Sequence, residues 1–258
     1  MRIVTFLTLS SLLLLTACSS SNLSDTAYNY EYQPRALPKM DTVLIATINR
    51  EKPSRFYLKP HEEDIDQHVA DFLEAHDIKL LPNRLFESQW SRISSSYGNM
   101  FNPSTGRYTP IFDTAVRECM EKVFARNPEL DAIIFTDLIE TPIAQGNTIN
   151  KIAQWHGVNR KIKTQGVGEG LDKQSDWLEA VDGISLAVTV YNRNLEQALF
   201  NIGGIQVAEV IELHNKVARL SRRSDILYND DEIEEGITLA FHPLIPMKNY
   251  PKQLKSPQ

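Results

Sequence analysis

The strongest constraint on the fold is a strict alternation of side chains in the second half of the chain. Apolar residues at every second position from Ile184 to Val190 alternate with Ser, Ala, Thr and Tyr. This period of two is typical of a β-strand. The turn-forming sequence Asn192-Arg193-Asn194 follows, and Gln197–Ile202 then supplies a second apolar run. The pattern predicts an antiparallel hairpin, which excludes an all-helical fold.

The first half of the chain instead alternates between strand and helix patterns. Val43–Ile48 is a continuous β-branched apolar run, as expected of a buried strand. The remaining elements are delimited by the spacing of apolar residues, by Thr109-Pro110 as a helix start and by Pro128 as a helix stop. They are helices at Glu62–His76, Leu85–Ile93, Thr109–Asn127 and Asn229–Phe241, and strands at Ile78–Leu81 and Leu130–Ile139. We therefore predict an α/β fold: a single mixed-sheet domain, βαβαβ followed by antiparallel strands and a C-terminal helix.

Two details of the second half follow from glycine and from an ambiguous period. Gly203-Gly204 is expected to break the return strand. Ile205–Leu213 fits either another strand or a helix, because both periods are satisfied.

The N-terminal residues have the pattern of an export signal. Arg2 provides a positive charge, and Ile3–Leu15 is a 13-residue apolar run, too short for a spanning helix. The tetrapeptide Leu15-Thr16-Ala17-Cys18 resembles the lipobox of bacterial lipoproteins. That resemblance implies cleavage before Cys18, diacylglycerol on its thiol and a further acyl chain such as palmitate on its amino group. Several acyl chains anchor a protein stably without a transmembrane helix. The alternative is a secretory signal in which Cys18 is incidental.

The same resemblance indicates where the protein resides and how it is divided. Ser19 stands where an Asp would retain an enterobacterial lipoprotein in the inner membrane, so we expect an outer-membrane protein facing the periplasm. We predict a signal peptide at 1–17, a lipidated flexible tether at 18–40, a periplasmic domain at 41–250 and a disordered tail at 251–258. The tether contains alternating tyrosines at positions 28, 30 and 32, so part of it could instead form an edge strand.

Charge and cysteine content limit the possible partners. The 258-residue chain has 27 basic and 33 acidic residues and a net charge of −6, with no run of five basic residues. We therefore expect no nucleic-acid partner. With Cys18 lipidated, Cys119 is the remaining cysteine, either buried and inert or paired with another chain.

The order of elements resembles the small α/β domain shared by the TolB N-terminal domain and the curli-secretion (CsgG-like) lipoproteins. The resemblance covers about residues 42–213 and includes the strand Ile78–Leu81 and the phrase Val188–Phe200 followed by Gly203-Gly204. It implies a periplasmic lipoprotein of envelope assembly or secretion. The pore-forming members insert amphipathic hairpins, whereas Lys151–Lys163 lacks a continuous apolar face.

Patterns that could support catalysis are incomplete. Asp64 and His68 lie one helical turn apart, a spacing that two zinc ligands can use, but no His-Glu-x-x-His motif supplies a third. Gly166–Gly170 lacks the Gly-Lys-Ser/Thr ending of a phosphate-binding loop. We predict no catalytic, cofactor-binding or metal-binding residues. Glycosidase carboxylates have no signature that one sequence could reveal.

The loop between the second and third predicted helices is the expected partner contact. Tyr97, Phe101, Arg107 and Tyr108 place aromatic rings and a guanidinium in a polar segment, and such residues are enriched in interface hot spots. The alternative is that the rings only hold a long loop to the domain. The function hypothesis is a non-enzymatic outer-membrane lipoprotein that acts through protein–protein contacts in envelope assembly, secretion or maintenance. The alternative is a membrane-tethered periplasmic hydrolase or small-ligand-binding protein.

Overall fold

The computed structural model describes residues 31–36, 40–50, 56–143, 145–146, 152–167, 180–214 and 217–251. The predicted signal peptide, Cys18, residues 18–30 of the tether and residues 252–258 of the tail lie outside these ranges.

Four helices and a series of strands form the described body. The helices are α1 (Glu62–Glu74), α2 (Arg84–Ser94), α3 (Pro110–Arg126) and α4 (Asp230–Phe241). The strands are β1 (Glu31–Tyr32), β2 (Thr42–Ala46), β3 (Lys79–Leu80), β4 (Phe101–Asn102), β5 (Arg107–Tyr108), β6 (Ala132–Ile143), β7 (Gln145–Gly146), β8 (Ile152–Trp155), β9 (Val158–Lys161), β10 (Thr164–Val167), β11 (Val181–Asn192), β12 (Gln197–Val207), β13 (Glu209–His214) and β14 (Val217–Arg222). None of the helices in these ranges combines the length and the apolar composition needed to cross a membrane.

A six-stranded mixed sheet organises the fold, in the order β1-β12-β11-β6-β2-β3. β2 pairs in parallel with both β3 and β6, whereas β6, β11 and β12 form an antiparallel ladder. The predicted α/β class, with βαβαβ first and antiparallel strands afterwards, is confirmed. The predicted 184–202 hairpin is the β11–β12 pair, and Ile205–Leu213 is extended as the end of β12 and β13.

Helices cover both faces of the sheet and define two large cores. Side chains of α1 and α4 pack with one face, including Val69 and Ile237, and side chains of α2 and α3 pack with the other, including Phe86 and Val116. A third core lies at one end of the long strands β6, β11 and β12, and it includes Trp155 of β8. The β8–β9 hairpin covers the sheet there because the alternating Ala153 and Trp155 face inward.

The edge of the sheet corrects the predicted extent of the tether. Glu31 and Tyr32 pair antiparallel with Phe200 and Leu199 of β12, so the tyrosine repeat contributes an edge strand at Tyr32. Asn192 fixes the chain again at Ala36, since its amide Nδ2 donates to the Ala36 carbonyl at 2.7 Å. The described body therefore includes residues 31–36, and the prediction of a flexible tether through residue 40 is wrong for these residues.

The glycine pair at 203–204 does not end the return strand, contrary to the prediction. A Cβ on Gly203 would lie 1.9 Å from the carbonyl oxygen of Gly236 in α4. A Cβ on Gly204 would lie 2.4 Å from Cγ2 of Val158 on the opposite face. The two glycines thus let a helix and a hairpin approach the same strand from opposite sides.

Replacing Gly203 with alanine is expected to lower the free energy of unfolding by about 2 kcal/mol, because a backbone carbonyl cannot move aside as a flexible side chain can. Urea denaturation of the variant and of the unchanged chain measures the difference. Gly98→Ala is the matched control, since a Cβ there has no neighbour within 4 Å. Equal destabilisation by the two substitutions would contradict the close-approach role of Gly203.

Candidate functional site

A short hairpin lies within the segment predicted to be an irregular loop. β4 and β5 pair through Phe101–Tyr108 and Asn102–Arg107. The Asn102 side chain accepts the Ser104 N–H at 2.9 Å, and its carbonyl accepts the Gly106 N–H at 2.9 Å. Gly106 has a φ of +63°, a conformation that a side chain would disfavour. The local turn chemistry of Asn and Gly therefore builds the hairpin.

Two of the four predicted contact residues hold the hairpin to the body. The Tyr108 ring stacks on Phe112 of α3 with centroids 3.9 Å apart, and the Tyr97 hydroxyl donates to Glu118 at 2.8 Å. That hydrogen bond raises the pKa of Tyr97. Burial, followed by the charges of Asp137 and Glu62, raises the pKa of Tyr108. Tyr97 and Tyr108 therefore fit the alternative interpretation, in which the rings anchor a long loop.

The other two predicted residues face solvent. Phe101 is 40% exposed with its ring edge-to-face against Tyr108, and Arg107 is exposed on the opposite face of the hairpin, because neighbouring residues of a strand alternate in direction. Ile111 is 42% exposed in the first turn of α3, directly after the hairpin. We call Phe101, Arg107 and Ile111 the contact surface. Ile111 was missed because one apolar residue at a helix start resembles an ordinary core position.

The helix after the hairpin starts where the sequence predicted, but its cap differs. Thr109 has extended backbone geometry and Pro110 occupies the first turn, as expected. The Thr109 hydroxyl does not cap the helix; it donates to the Asn99 carbonyl at 3.1 Å. This hydrogen bond joins the start of α3 to the chain segment that enters the hairpin. The position of the hairpin relative to α3 is therefore fixed.

The guanidinium of Arg50 packs against two aromatic rings on the side of the sheet that α2 and α3 cover. The Arg50 guanidinium carbon is 4.8 Å from the Tyr191 ring centroid and 5.5 Å from that of Phe135, and Nη1 donates to the Tyr191 hydroxyl. The Arg50 backbone N–H donates to Asp137 at 2.7 Å, and Nη2 is 3.6 Å from the Asp113 carboxylate. Arg50 is thus held by rings and carboxylates far away in sequence, so no local sequence pattern indicates its role.

A cleft of about 590 Å³ opens at the carboxyl ends of the parallel strands β2 and β3, between α1 and the first turn of α2. In open α/β sheets this edge is the usual place for a ligand. Buried core side chains, including Ile65 and Leu138, form its floor, and polar side chains of α1, including Asp66, line its wall. The sequence did not reveal the cleft, because its walls come together only through the parallel pairing of the strands.

Asp66 is the titratable group most affected by this cleft. Its Oδ1 accepts the Thr136 hydroxyl at 2.5 Å, which favours the ionised form. Burial and the charges of Glu62 and Glu63 outweigh that bond and raise the pKa of Asp66 to about 6. The carboxyl group therefore exchanges its proton close to neutral pH.

The histidines in and next to α1 contact different neighbours. His61 packs edge-to-face on Tyr228, His68 lies 3.8 Å from the Asp230 carboxylate, and His76 bonds to the Phe72 carbonyl at 2.8 Å. In the described part of the chain, no group of three or more His, Cys, Asp or Glu side chains could hold a metal ion. Asp64 is exposed on α1. His68 and His76 do not converge on one shared carboxylate, so the geometry gives the hydrolase alternative no support from them.

Cys119 lies in the core rather than at a surface. Its thiol is buried, 3.8 Å from the Phe86 carbonyl, and burial raises its pKa to about 12. The thiolate needed for nucleophilic chemistry is therefore disfavoured. Of the glycine-rich loop, Gly166 belongs to β10, and Gly168 and Gly170 lie outside the described residues.

A buried serine–histidine pair has the residue types of a nucleophile and its general base. His156 Nδ1 lies 2.9 Å from the Ser185 hydroxyl, which also accepts the Trp155 indole N–H at 3.0 Å. Ser185 is fully buried, so a substrate cannot reach its oxygen. Burial lowers the pKa of His156 to about 4. The pair holds the β8–β9 hairpin on the sheet as a neutral hydrogen-bonded unit.

Comparisons of the chain with protein-family models, with curated proteins and with solved structures give no match. The resemblance to the TolB and curli-secretion lipoproteins therefore stays a prediction from the sequence.

Proposed function

We propose that this chain is an outer-membrane lipoprotein, anchored through Cys18 and facing the periplasm, that acts without catalysis by binding a partner protein of the cell envelope. The contact surface of Phe101, Arg107 and Ile111 is the proposed binding site. The observation that carries the proposal is the exposure of Phe101 and Arg107 on a hairpin that Tyr97 and Tyr108 fix to α3.

The rigidity of the hairpin favours recognition of a folded partner. Binding costs free energy for every side chain or loop that has to be ordered. The turn bonds of Asn102 and the stacking of Tyr108 on Phe112 already order this hairpin in the free protein. An exposed aromatic ring and an exposed guanidinium held on such a hairpin can then bury their surfaces at low entropic cost.

The edge strand limits how far the body can lie from a lipid anchor. Thirteen peptide steps separate Cys18 from Glu31, where β1 pairs with β12. An extended chain of that length spans at most about 45 Å. A partner of a lipidated chain is therefore expected to be close to the membrane, either within it or on its periplasmic surface.

Replacing Cys18 with serine tests the anchor. The full chain is expected to move from the membrane pellet to the soluble periplasmic fraction, because serine cannot form the thioether that holds the diacylglycerol. Fractionation with immunodetection measures the shift, and Cys119→Ser is the matched control that keeps the anchor. Retention of the Cys18 variant in the membrane would contradict the lipoprotein part of the proposal.

Replacing both Phe101 and Arg107, as Phe101→Ser with Arg107→Gln, tests the contact surface. Recovery of the partner that is cross-linked to the chain before purification is expected to fall at least about tenfold. Removing hot-spot side chains weakens the free energy of binding by about 2 kcal/mol or more. Quantitative mass spectrometry of material purified with the full chain measures the recovery. Tyr228→Ser is the control, because Tyr228 is 73% exposed at a distant position before α4. Equal recovery from both variants would exclude this surface as the binding site.

A further inference from the structure

We infer that the cleft beside α1 binds an organic cation with an aliphatic stem, an alkylammonium or alkylguanidinium group. The site is separate from the contact surface and does not depend on the proposed partner function. It lies between α1 and the first turn of α2, whereas the contact surface belongs to the hairpin and the first turn of α3.

The floor of the cleft fits an aliphatic stem. Ile45, Ile65, Leu138 and Leu186 belong to the buried core and also line the cleft. The half-buried Leu80 and Leu81 also line the cleft and offer apolar surface to a ligand in an open volume of about 590 Å³. Volumes of this size accommodate small organic ligands, and burial of methylene groups against such a floor is favourable.

The wall of the cleft selects a positive charge. Glu62, Glu63, Asp66 and Glu87 line it, against Lys59 as the basic residue among the lining side chains. An anionic ligand would be repelled, whereas an ammonium or guanidinium group would offset the excess of carboxylates. The described residues provide no set of three ligands for a metal ion, so the geometry favours an organic cation.

Asp66 is the carboxylate placed to meet the cation. The Thr136 hydroxyl donates to its Oδ1, so a cation would meet this carboxyl group at Oδ2. Asp66 lines the same cleft as its apolar neighbour Ile65 and the acidic side chains of the wall. A cation bound at Oδ2 would favour the ionised carboxylate, so that binding near pH 6 releases the proton that this group holds.

Calorimetric titration of the full chain in detergent with n-butylammonium chloride tests the inference, with n-butanol as the uncharged analogue. We expect n-butanol to bind at least tenfold more weakly. Titrations near pH 6 in two buffers of different ionisation enthalpy should show release of about half a proton per ligand bound. Asp66→Asn should weaken n-butylammonium binding at least tenfold and abolish the proton release.

Two control variants separate the possible outcomes. Asp64→Asn removes the same charge from an exposed position on α1 outside the cleft lining and should bind n-butylammonium like the unchanged chain. Phe101→Ser should also leave this binding unchanged, which separates the inference from the proposed function. Absence of binding, equal binding of n-butanol, or equal loss in the Asp64 and Asp66 variants would each overturn the inference.

Discussion

The Asp66→Asn variant is expected to be more stable than the unchanged chain by up to about 3 kcal/mol at about pH 8. The folded pKa of Asp66 is about 6, above the ordinary value of 3.8. Ionisation is therefore harder in the folded state, and the folded state loses stability as the pH rises through 6. Asparagine removes the charge but keeps an oxygen that can accept the Thr136 hydroxyl.

Urea denaturation across the pH range measures this effect, and its pH dependence is the diagnostic feature. The advantage of the variant should disappear at low pH, where Asp66 is protonated in both the folded and the unfolded state. Asp64→Asn should change the stability by less than about 1 kcal/mol, because an exposed carboxylate in the first turn interacts only with the helix dipole. A destabilised Asp66 variant at pH 8 would contradict the raised pKa and with it the charge assigned to the cleft.

The His156→Asn variant is expected to lose the acid sensitivity that a buried neutral histidine confers. The folded pKa of His156 is about 4, below the ordinary value of 6.5. The unfolded state binds the proton first, so the stability present above pH 6.5 is lost as the pH falls towards 4. The loss amounts to about 3 kcal/mol between pH 7 and pH 4.

Asparagine suits this position because His156 has a φ of +35°, a region that Asn tolerates well. The measured quantity is the change in unfolding free energy between pH 7 and pH 4, since loss of the ring also alters packing at every pH. His214→Asn, at an exposed position of β13, is the matched control for a histidine-to-asparagine substitution. An unaltered pH dependence in the His156 variant would show that the imidazole is not held neutral.

The two groups act in opposite directions over overlapping ranges of pH. As the pH falls below 6, protonation of Asp66 removes the destabilising effect of its buried charge on the folded state. As the pH falls below 6.5, the free energy of unfolding decreases because the unfolded state binds a proton that buried His156 does not. Their contributions nearly offset each other in the unchanged chain. The Asp66 variant should therefore be more acid-sensitive than the unchanged chain, and the His156 variant less.

The sequence predicted well what depends on local pattern. The alternation at 184–190 and the Asn192 turn predicted the β11–β12 hairpin, and Thr109-Pro110 predicted the start of α3. Each of these signals lies within one element or one turn. The division of the predicted contact loop into anchoring and exposed residues was not predictable, because it depends on where Phe112 and Glu118 of α3 meet the hairpin.

The wrong or missing predictions involve contacts between distant segments. Gly203-Gly204 was expected to break a strand because glycine weakens strands locally, yet Gly236 and Val158 require the bare backbone there. The cleft around Asp66 depends on the parallel pairing of β2 with β3 and on Thr136 from β6. One sequence carries no local sign of such pairings.

Site-specific photo-cross-linking from position 101 tests the central claim most directly. A photoreactive phenylalanine analogue replaces Phe101 in the full chain, and cells are irradiated before purification and mass spectrometry. The account predicts a discrete adduct with one envelope protein from position 101 and no such adduct from the same analogue at the exposed position 228. No adduct from position 101, or the same adducts from both positions, would contradict it.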